Sequence, residues 1–529
     1  MKAIVVAGAL LVAAVPAFAH DDDAAAPAGR PPEQLGKVTF PTSCAPAVQP
    51  AFERGVALLH SFWFPEARNV FLQVLKDDPS CTIAYWGLGV NRLLNPFGGQ
   101  PPEKALLEGQ AAVDKGLSTP AKTQRERDYV EAIATLYTHD KAPWGQRVLR
   151  YDEAMQRLAA KYPDDKEAAI FYALALNVAI DASDKTYSRQ LKAAAILEPI
   201  FNAQPDHPGV AHYLIHSYDF PPIAEKGLTA ARKYAEIAPS AAHALHMPSH
   251  IFARTGSWED SYATNRRSEA TARKNKTPDE ILHALDYQMY AALQLGRDGD
   301  AKHALERMQT AGAYERTAGA FALAAGPARF ALERGDWKAA AKLEPQSSKW
   351  PYVDAMTHYA RAIGAARSGD VESAQKDAAR LAELRDEMAK RKDSYWTDQV
   401  EAQRLAAQAW IALAQGRREE ALATMRQSAD LQDKSEKAPV TPGYVAPSRE
   451  LLGEMLLEMK RPAEAQKEFE LAASRDPNRL RTFNGAAKAA AQSGNKIVAR
   501  QYYSKLVTLT AKADGRPELQ EAKAWLARN

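Results

Sequence analysis

The sequence predicts an all-α fold, a solenoid of antiparallel helix pairs stacked along the chain. It is rich in Leu, Ala, Glu, Lys, Arg and Gln, which favour helices. Alternating valine-rich segments, which would favour strands, are essentially missing from the sequence. A chain of 529 residues is also too long for one ordinary core, which favours several domains or an array of repeats.

The charge distribution argues against binding to nucleic acid. The chain has 68 Lys and Arg residues against 65 Asp and Glu residues, and the two signs are interleaved along the sequence. A protein that binds nucleic acid or an anionic membrane usually concentrates its basic residues in a patch or stripe. We therefore expect no nucleic-acid partner.

Residues 1–19 have the pattern of a cleaved signal peptide. Lys2 provides a positive start, Ala3–Val15 is an apolar run, and the Ala-Phe-Ala at the end fits the small-x-small cleavage site. The run is too short for a comfortable membrane span, and no later stretch reaches that length. We expect an exported, periplasmic protein without a membrane span, with residues 20–44 as a flexible N-terminal segment.

The spacing typical of a tetratricopeptide repeat first occurs in FERGVALLHSFWFPEARNVFLQVLKDDP. Gly55 and Ala67 lie where the two helices of a repeat face each other, and only small side chains let them approach. Phe71 occupies the bulky position of the second helix, and Pro79 ends that helix.

The same pattern recurs towards the C-terminus, in register with the repeat. Each segment that carries it combines a small residue or a turn glycine with an alanine in the following helix. These residues are Gly335 and Ala340, Gly369 and Ala374, Gly416 and Ala421, Gly453 and Ala465 with Phe469, Ala472 and Pro477, and Gly494 and Ala499 with Tyr503. Because several matches agree in register, the sequence predicts a helical-repeat solenoid.

The period also sets the expected boundaries. The repeat array is predicted over residues 45–432, with extra helices at 101–160 that depart from the period. Residues 433–450 are Pro-rich and are predicted to form a surface loop or a linker between repeats. Residues 451–529 are predicted to be C-terminal repeats.

Cys44 and Cys81 are the two cysteines of the chain. In an oxidising compartment a disulfide between them is expected, because both lie just before helices that should be neighbours. It would close a loop of about 37 residues and stabilise the fold by roughly 3–4 kcal/mol. The alternative is a pair of unpaired buried thiols.

Two histidine pairs occupy equal positions in consecutive repeats. His212 and His216 in HPGVAHYLIHSYD are echoed about 34 residues later by His246 and His250 in HALHMPSH. In each repeat the pair falls at positions 5 and 9 of the first helix, which share one face. Since adjacent first helices pack side by side and line the concave groove, the four imidazoles are expected to converge there.

Further residues are candidates for the same surface. His243 lies one turn from the second pair, and His283 and Asp286 are plausible groove residues of the next repeat. Asp219 or Asp286 would complete the site or orient its histidines. Pro248 should kink or restart the helix that carries His246 and His250.

Three interpretations of the histidines remain open from the sequence. The paired spacing suits a transition metal such as zinc, copper or iron. The alternatives are a metal-free polar binding site and purely structural packing. His20, which would become the N-terminal residue after cleavage, is a weaker candidate for chelating copper.

The HPGxxHxxIH and HMPSHI motifs, together with FERGVALLHSFWFPEARNVFLQVLKDDPSCTIAYWGLG, resemble a family of exported bacterial tetratricopeptide-repeat proteins. The family is distantly similar to tetratricopeptide repeat protein 38. The resemblance covers about residues 45–270 and implies the fold. It also implies a role for His212, His216, His246, Pro248 and His250, but it implies no reaction.

These observations predict a binding or scaffold protein whose groove takes a protein or peptide ligand and whose histidine cluster binds a transition metal. One alternative is a metal-dependent enzyme in which an open metal position activates water or oxygen. A third is a metal-handling protein of the periplasm. The sequence does not decide for or against catalysis, and a non-catalytic role is the first expectation.

Overall fold

The computed structural model describes residues 33–138, 142–181 and 184–529, and these ranges are mostly helical. Within them the regular structure consists of α-helices and three short 3-10 helices, with no β-strand. Consecutive helices pack against each other along the chain. The predicted all-α fold is therefore confirmed.

The first part of the chain forms the helices that precede the paired histidines. Their bounds are α1 Gln49–His60, α2 Phe64–Asp77, α3 Ile83–Asn91, α4 Glu103–Ser118, α5 Gln124–Ala134, α6 Trp144–Lys161, α7 Lys166–Val178 and α8 Ser188–Ala203. The 3-10 helix Pro46–Val48 precedes α1, and the 3-10 helix Pro96–Gly98 lies between α3 and α4.

The middle part contains the repeats that carry the histidines. Its helices are α9 Pro208–Tyr218, α10 Leu228–Ile237, α11 Ala242–His246, α12 Pro248–Thr255, α13 Trp258–Lys274, α14 Pro278–Gln294, α15 Asp298–Met308, α16 Thr317–Leu332 and α17 Trp337–Ala341. The third 3-10 helix, Pro221–Gly227, leads into α10.

The last part continues the helix pairs to the C-terminus. Its helices are α18 Pro351–Arg367, α19 Val371–Lys390, α20 Ser394–Ala414, α21 Arg418–Gln432, α22 Ser448–Glu458, α23 Pro462–Arg475, α24 Leu480–Gln492, α25 Lys496–Leu509 and α26 Pro517–Arg528. Among the described residues, no helix combines the length and apolar character needed to cross a membrane.

Small residues bring the paired helices together, as the repeat pattern requires. A Cβ atom added to Gly55 in α1 would lie 2.9 Å from the Phe71 ring in α2. A Cβ atom added to Gly453 in α22 would lie 2.8 Å from the Phe469 ring in α23. Since real Cβ contacts are longer than this, a larger residue at either glycine would push the helices apart.

The turn between paired helices uses a left-handed backbone conformation at several predicted glycines. Gly369 before α19 has φ of 87°, and Gly416 before α21 has φ of 79°. L-residues with a side chain rarely adopt this conformation, so glycine is favoured there.

The residues just before the first repeat are packed rather than flexible. Residues 20–44 were expected to be flexible, but Leu35, Val38 and Phe40 are buried, and Phe40 is fully inaccessible. The Phe40 ring contacts Phe52 and Trp86 at centroid distances of 5.2 and 5.4 Å. Burial of these apolar side chains orders the segment from Leu35 onwards.

Cys44 and Cys81 are joined by a disulfide bond, with their Cα atoms 4.7 Å apart. Cys44 lies just before the 3-10 helix that leads into α1, and Cys81 lies between α2 and α3. The bond links the first repeat to the packed segment that precedes it.

The C-terminal repeats pack back onto the middle of the chain. The indole Nε1 of Trp258 donates to the carbonyl of Asn478 over 2.7 Å. The backbone N–H of Asp514 donates to the carbonyl of Gly296 over 3.1 Å. These contacts join residues more than two hundred positions apart. They hold the residues before α24 near α13 and those before α26 near the end of α14.

Candidate metal centre

Six histidines lie on the first helices of three consecutive repeats. His212 and His216 lie on α9, and His243 and His246 lie on α11. His250 lies on α12, the continuation of that first helix, and His283 lies on α14. The repeat architecture therefore places all six imidazoles on neighbouring helices.

Local sequence fixes where these helices begin. Pro208 occupies the first turn of α9, and the side chain of His207 before it accepts from the backbone N–H of Val210 over 3.4 Å. Pro248 has no backbone N–H, and the first helix of the next repeat is divided there into α11 and α12. The predicted interruption at Pro248 is thus present, and it leaves His246 and His250 close together.

The first group of histidines, His212, His216 and His243, will be called triad 1. The Nε2 atom of His212 lies 3.1 Å from Nε2 of His216 and 3.2 Å from Nε2 of His243. One nitrogen from each of the three rings lies within 4.8 Å of the other two. His212 is fully buried, and the other two rings are half-buried.

A backbone carbonyl from a distant part of the sequence fixes the tautomer of His212. Its Nδ1 atom lies 2.6 Å from the carbonyl oxygen of His60 at the end of α1. A carbonyl only accepts, so Nδ1 carries the proton and donates. In the neutral ring Nε2 then presents a lone pair to His216 and His243.

The second group, His246, His250 and His283, will be called triad 2. The Nε2 atoms of His246 and His250 lie 3.1 Å apart. One ring nitrogen of His283 lies within 4.8 Å of a ring nitrogen of each of these two histidines. The Nδ1 atom of His283 is buried and has no hydrogen-bond partner among the described residues. An orphaned ring nitrogen in such a position is available as a ligand.

Both close rings of triad 2 are held in one tautomer. His250 donates from Nδ1 to the Asp219 carboxylate over 3.0 Å. His246 donates from Nδ1 to Oδ1 of Asn265 over 2.8 Å. The Asn265 amide is oriented by its own Nδ2, which donates to the carbonyl of Ser261 over 2.7 Å, so Oδ1 is the atom that faces His246.

These hydrogen bonds leave two lone pairs facing each other across 3.1 Å. Neutral His246 and His250 both carry their proton on Nδ1, so neither has a proton on Nε2 to share. Such a contact is repulsive unless a cation lies between the nitrogens. A tetrahedral zinc ion with Zn–N bonds of about 2.0–2.1 Å separates its nitrogen ligands by about 3.3 Å. The observed spacing fits a metal ion.

Burial keeps the imidazoles neutral at physiological pH. It lowers the pKa of His212 and of His283 to about 3 each. It also holds the pKa of His216, His243 and His246 well below the usual value and lowers that of His250. Neutral rings are the form that binds metals.

The carboxylate behind triad 2 is itself fixed. Asp219 accepts from Nε of Arg254 over 2.8 Å, and Nζ of Lys437 lies 4.0 Å from the same oxygen. Although burial alone would raise it, these two cations and His250 hold the pKa of Asp219 well below its usual range. Asp219 therefore orients a histidine, as expected, and does not enter either triad.

Aromatic rings enclose both triads. Phe62 contacts His212 and His243 with ring centroids 4.4 and 5.2 Å apart, and Phe97 stacks on His216 at 3.8 Å. Tyr287 contacts His246 and His250 at 4.6 and 5.5 Å. Aromatic rings thus form part of the lining of both triads.

The segment of residues 433–447, between α21 and α22, packs against the helices that hold the histidines. The hydroxyl of Tyr287 lies 3.1 and 3.0 Å from the carbonyls of Pro439 and Thr441, and Nη2 of Arg329 donates to the carbonyl of Gly443 over 2.7 Å. Lys437 and Thr441 are buried. This Pro-rich stretch is a loop, and much of it lies inside the fold.

The arrangement differs from the single four-histidine cluster that the repeat register predicts. His212 and His216 share triad 1, whereas His246 and His250 share triad 2. His243 and His283, which were secondary candidates, each complete one triad. The repeat position identifies the face of each helix but not the direction of each ring.

Asp286 is not part of either triad, contrary to expectation. It is fully buried and forms an ion pair with Arg329. The guanidinium, which also reaches the 433–447 segment, pairs with this carboxylate in place of a histidine. His20 lies outside the described residues.

A third group of ligand-type residues lies beside triad 1 and was missed by the repeat argument. Glu167 accepts from Nε2 of His60 over 3.0 Å and from Nε2 of His207 over 2.7 Å. The Nδ1 atom of His60 lies 2.9 Å from the hydroxyl of Tyr213. Both ring nitrogens of His60 are hydrogen-bonded within the protein. We therefore interpret this group as a structural network that positions the His60 carbonyl for His212.

One repeat is recognised by comparison with known families. Residues 446–479, which include α22 and α23, match the tetratricopeptide repeat. No curated protein matches the sequence significantly.

The solved structures that match this chain share little sequence with it. The APC/C hetero-tetramer Cut9-Hcn1 matches with 12% identity, covering 91% of this chain and 89% of that chain, at a TM-score of 0.33. The human IFIT1 dimer with PPP-AAAA matches with 12% identity over 86% and 89%, at 0.35. The same human dimer with m7Gppp-AAAA matches with 13% identity over 89% and 92%, at 0.36. The chain is an all-α helical-repeat protein that contains a tetratricopeptide repeat at residues 446–479.

Proposed function

We propose that this chain is an exported helical-repeat scaffold that binds transition-metal ions through triad 1 and triad 2. The observation that carries the proposal is the contact between His246 and His250, whose Nε2 lone pairs face each other at 3.1 Å. The orphaned Nδ1 of His283 beside them supports it. Hydrogen bonds to the opposite nitrogens of metal-binding histidines are the usual means of orienting them.

The donor set favours zinc or copper. Neither triad contains a carboxylate or a thiolate from the described residues. Imidazole ligands suit zinc and copper, whereas non-haem iron sites typically add a carboxylate to two histidines. Iron, also expected from the sequence, therefore fits these donors less well.

Metal analysis of the mature chain, purified without a histidine tag, tests the proposal. After reconstitution with zinc or with copper, we expect bound metal that survives desalting. The double variant His212→Ala with His246→Ala should lose it while its helical circular dichroism stays unchanged. His303→Ala, in which an exposed ring on α15 is removed, is the matched control and should bind as the wild type does.

Two results would contradict the proposal. Wild-type protein that retains less than about a tenth of an equivalent of either metal after reconstitution would exclude metal binding by the triads. Unchanged stoichiometry in the double variant would place the metal elsewhere in the chain.

A metal-dependent enzyme is the second candidate. It is favoured by the number of ligands, because three protein nitrogens leave a fourth position open, as in catalytic zinc sites. We expect zinc-loaded wild type to hydrolyse a chromogenic ester faster than the zinc-treated double variant does. Equal rates would remove the support for a hydrolytic enzyme.

The helical-repeat fold indicates a protein-binding scaffold. We propose that the repeats form a concave groove and that a protein or peptide partner binds in the part of it that the 433–447 segment does not contact, since Tyr287 and Arg329 already engage that segment. Fluorescence anisotropy with a library of extended peptides tests this. Binding of no peptide at micromolar protein would argue against a peptide groove.

Export to the periplasm is also proposed, and the disulfide between Cys44 and Cys81 is consistent with an oxidising compartment. The expected mature N-terminus is His20. Mass spectrometry of the protein recovered from a bacterial periplasmic fraction checks this, and a full-length chain retained in the cytoplasm would contradict it.

A further inference from the structure

The two triads are adjacent, and the short helix α11 carries one histidine of each. His216 of triad 1 and His250 of triad 2 have ring centroids 6.3 Å apart. His243 of triad 1 and His246 of triad 2, which lie on the same short helix, are also 6.3 Å apart. Two ions held by these rings would lie in one shared environment.

All the ligands that the protein supplies there are uncharged. The two triads consist of imidazoles alone. The nearest carboxylate, Asp219, has one oxygen bonded to Nδ1 of His250 and the other to Arg254, with Lys437 close by. Two divalent ions would thus bring four positive charges into a largely buried site with little compensation from the protein.

Uncompensated charge in a buried site is costly, so such a centre requires anionic ligands from solution. Each triad offers three nitrogens, which leaves one position open on a four-coordinate ion. A single anion placed between the ions fills both open positions and reduces the repulsion between the two cations.

The surroundings restrict the size of that anion. Phe62 and Phe97 lie against triad 1, and Tyr287 lies against triad 2. Phe62 and Tyr287 are buried, and the hydroxyl of Tyr287 is engaged by the 433–447 segment. An anion of a few atoms is accommodated in such an aromatic enclosure more readily than an extended substrate.

We propose that triad 1 and triad 2 form one dinuclear metal centre in which a small anion bridges the two ions. This inference rests on the metal binding proposed above. At rest the bridge is hydroxide: a water molecule binds both ions, one O–H bond breaks, and the proton leaves to solvent. The exchangeable ligands of the centre are small anions of comparable size.

Copper provides a direct readout, because two bridged Cu²⁺ ions couple and lose their paramagnetic signal. Metal-free, full-length mature protein without a tag is titrated with copper sulfate, and the unpaired spin per copper is measured by electron paramagnetic resonance. At two equivalents we expect two bound copper ions per chain and at least a fivefold lower spin per copper than for isolated ions. Sodium azide should then bind with one azide per two coppers, seen as a new absorption band.

Variants with one disabled triad are the internal comparison. His216→Gln in triad 1 and His283→Gln in triad 2 each alter a half-buried ring, and each variant should bind one copper that carries its full spin. His303→Ala is the matched control and should behave as the wild type. Helical circular dichroism confirms that each variant is folded, and the wild-type spin measurement does not depend on them.

The outcomes separate this inference from the binding on which it rests. Two copper ions per chain that each carry full spin would show independent sites, which overturns the bridged centre and leaves metal binding intact. One copper per chain in the wild type would also overturn the bridged centre. No retained copper or zinc would overturn both proposals.

Discussion

At the scale of single residues, the histidines of this protein differ in what their second ring nitrogen contacts. In His246 and His250 the outer nitrogen donates to a fixed oxygen, which turns the lone pair inwards. In His60 both nitrogens are already bonded, to Glu167 and Tyr213. The same residue type is therefore a candidate ligand in one place and a structural group in another.

The amide of Asn265 should control the metal affinity of triad 2. In Asn265→Ala the Nδ1 atom of His246 loses its acceptor, so the ring no longer holds the tautomer that presents Nε2. We expect affinity to fall about 10–100-fold at triad 2, with triad 1 unchanged. Competition with a chelating dye measures both sites. Asn275→Ala, on the same repeat but outside the triads, is the control, and an equal loss there would contradict the role of Asn265.

Glu167 should contribute strongly to stability, in a pH-dependent way. Despite burial, His207 and His60 lower the pKa of Glu167 to about 2. A carboxyl group with a lowered pKa stabilises the fold when the pH is above its ordinary pKa of about 4.5. This contribution is lost as the pH falls towards 2. At pH 7, Glu167→Gln should lower the free energy of unfolding by about 3 kcal/mol, because two bonds to a buried charge are weakened.

Urea unfolding at pH 7, 5 and 3.5 measures this contribution. The difference between wild type and Glu167→Gln should be constant from pH 7 to 5 and smaller at pH 3.5. Glu306→Gln, at an exposed position, is the control and should change stability by less than about 0.5 kcal/mol. A difference that grows as the pH falls would contradict the assigned direction of the pKa shift.

At the scale of helices, the close approach of paired helices depends on positions that exclude a side chain. Gly364 in α18 faces the backbone of α17, and an added Cβ would lie 2.5 Å from the carbonyl oxygen of Trp337 and 2.6 Å from the nitrogen of Ala341. Backbone atoms at that distance do not move aside as a flexible side chain does. The pair therefore packs in this geometry only with glycine at that position.

Gly364→Ala should lower the free energy of unfolding by about 1–3 kcal/mol, the usual cost of overpacking. Alanine normally stabilises a helix by up to about 1 kcal/mol relative to glycine, so the loss reflects the contact between helices. Gly145→Ala in α6, where an added Cβ meets no atom within 4 Å, is the control and should be neutral or stabilising. Chemical denaturation compares the two, and equal effects would refute the packing argument.

At the scale of the whole molecule, long-range contacts close the array onto itself. The disulfide joins residues 37 positions apart, and the contacts of α24 and of the 433–447 segment join residues far more distant in sequence. Such links restrict the unfolded chain or bring remote repeats together, which an open stack of repeats does not do.

Removing the disulfide should destabilise the protein by roughly 3–4 kcal/mol, according to the length of the loop that it closes. We expect Cys44→Ser with Cys81→Ser to melt at a lower temperature than the wild type, and dithiothreitol to reduce the wild-type melting temperature to a similar value. Dithiothreitol should leave the double variant unaffected. A variant as stable as the wild type would mean that the bond does not restrict the unfolded state appreciably.

The sequence by itself determined the all-α class, the pairing of helices and the face on which the histidines lie. These follow from local periodicity, because a 3.6-residue helix and a repeat of about 34 residues decide which positions share a surface. Gly55 and Phe71, or Gly453 and Phe469, are recognisable from spacing alone.

Only the tertiary structure decided how the histidines are grouped. The ring of His212 is directed by the carbonyl of His60, 152 residues earlier, and Asp286 is paired with Arg329 rather than with a histidine. Lys437, a buried residue of the 433–447 segment, lies 4.0 Å from Asp219. Repeat spacing carries no information about such partners, because side-chain direction and tautomer depend on contacts between distant parts of the chain.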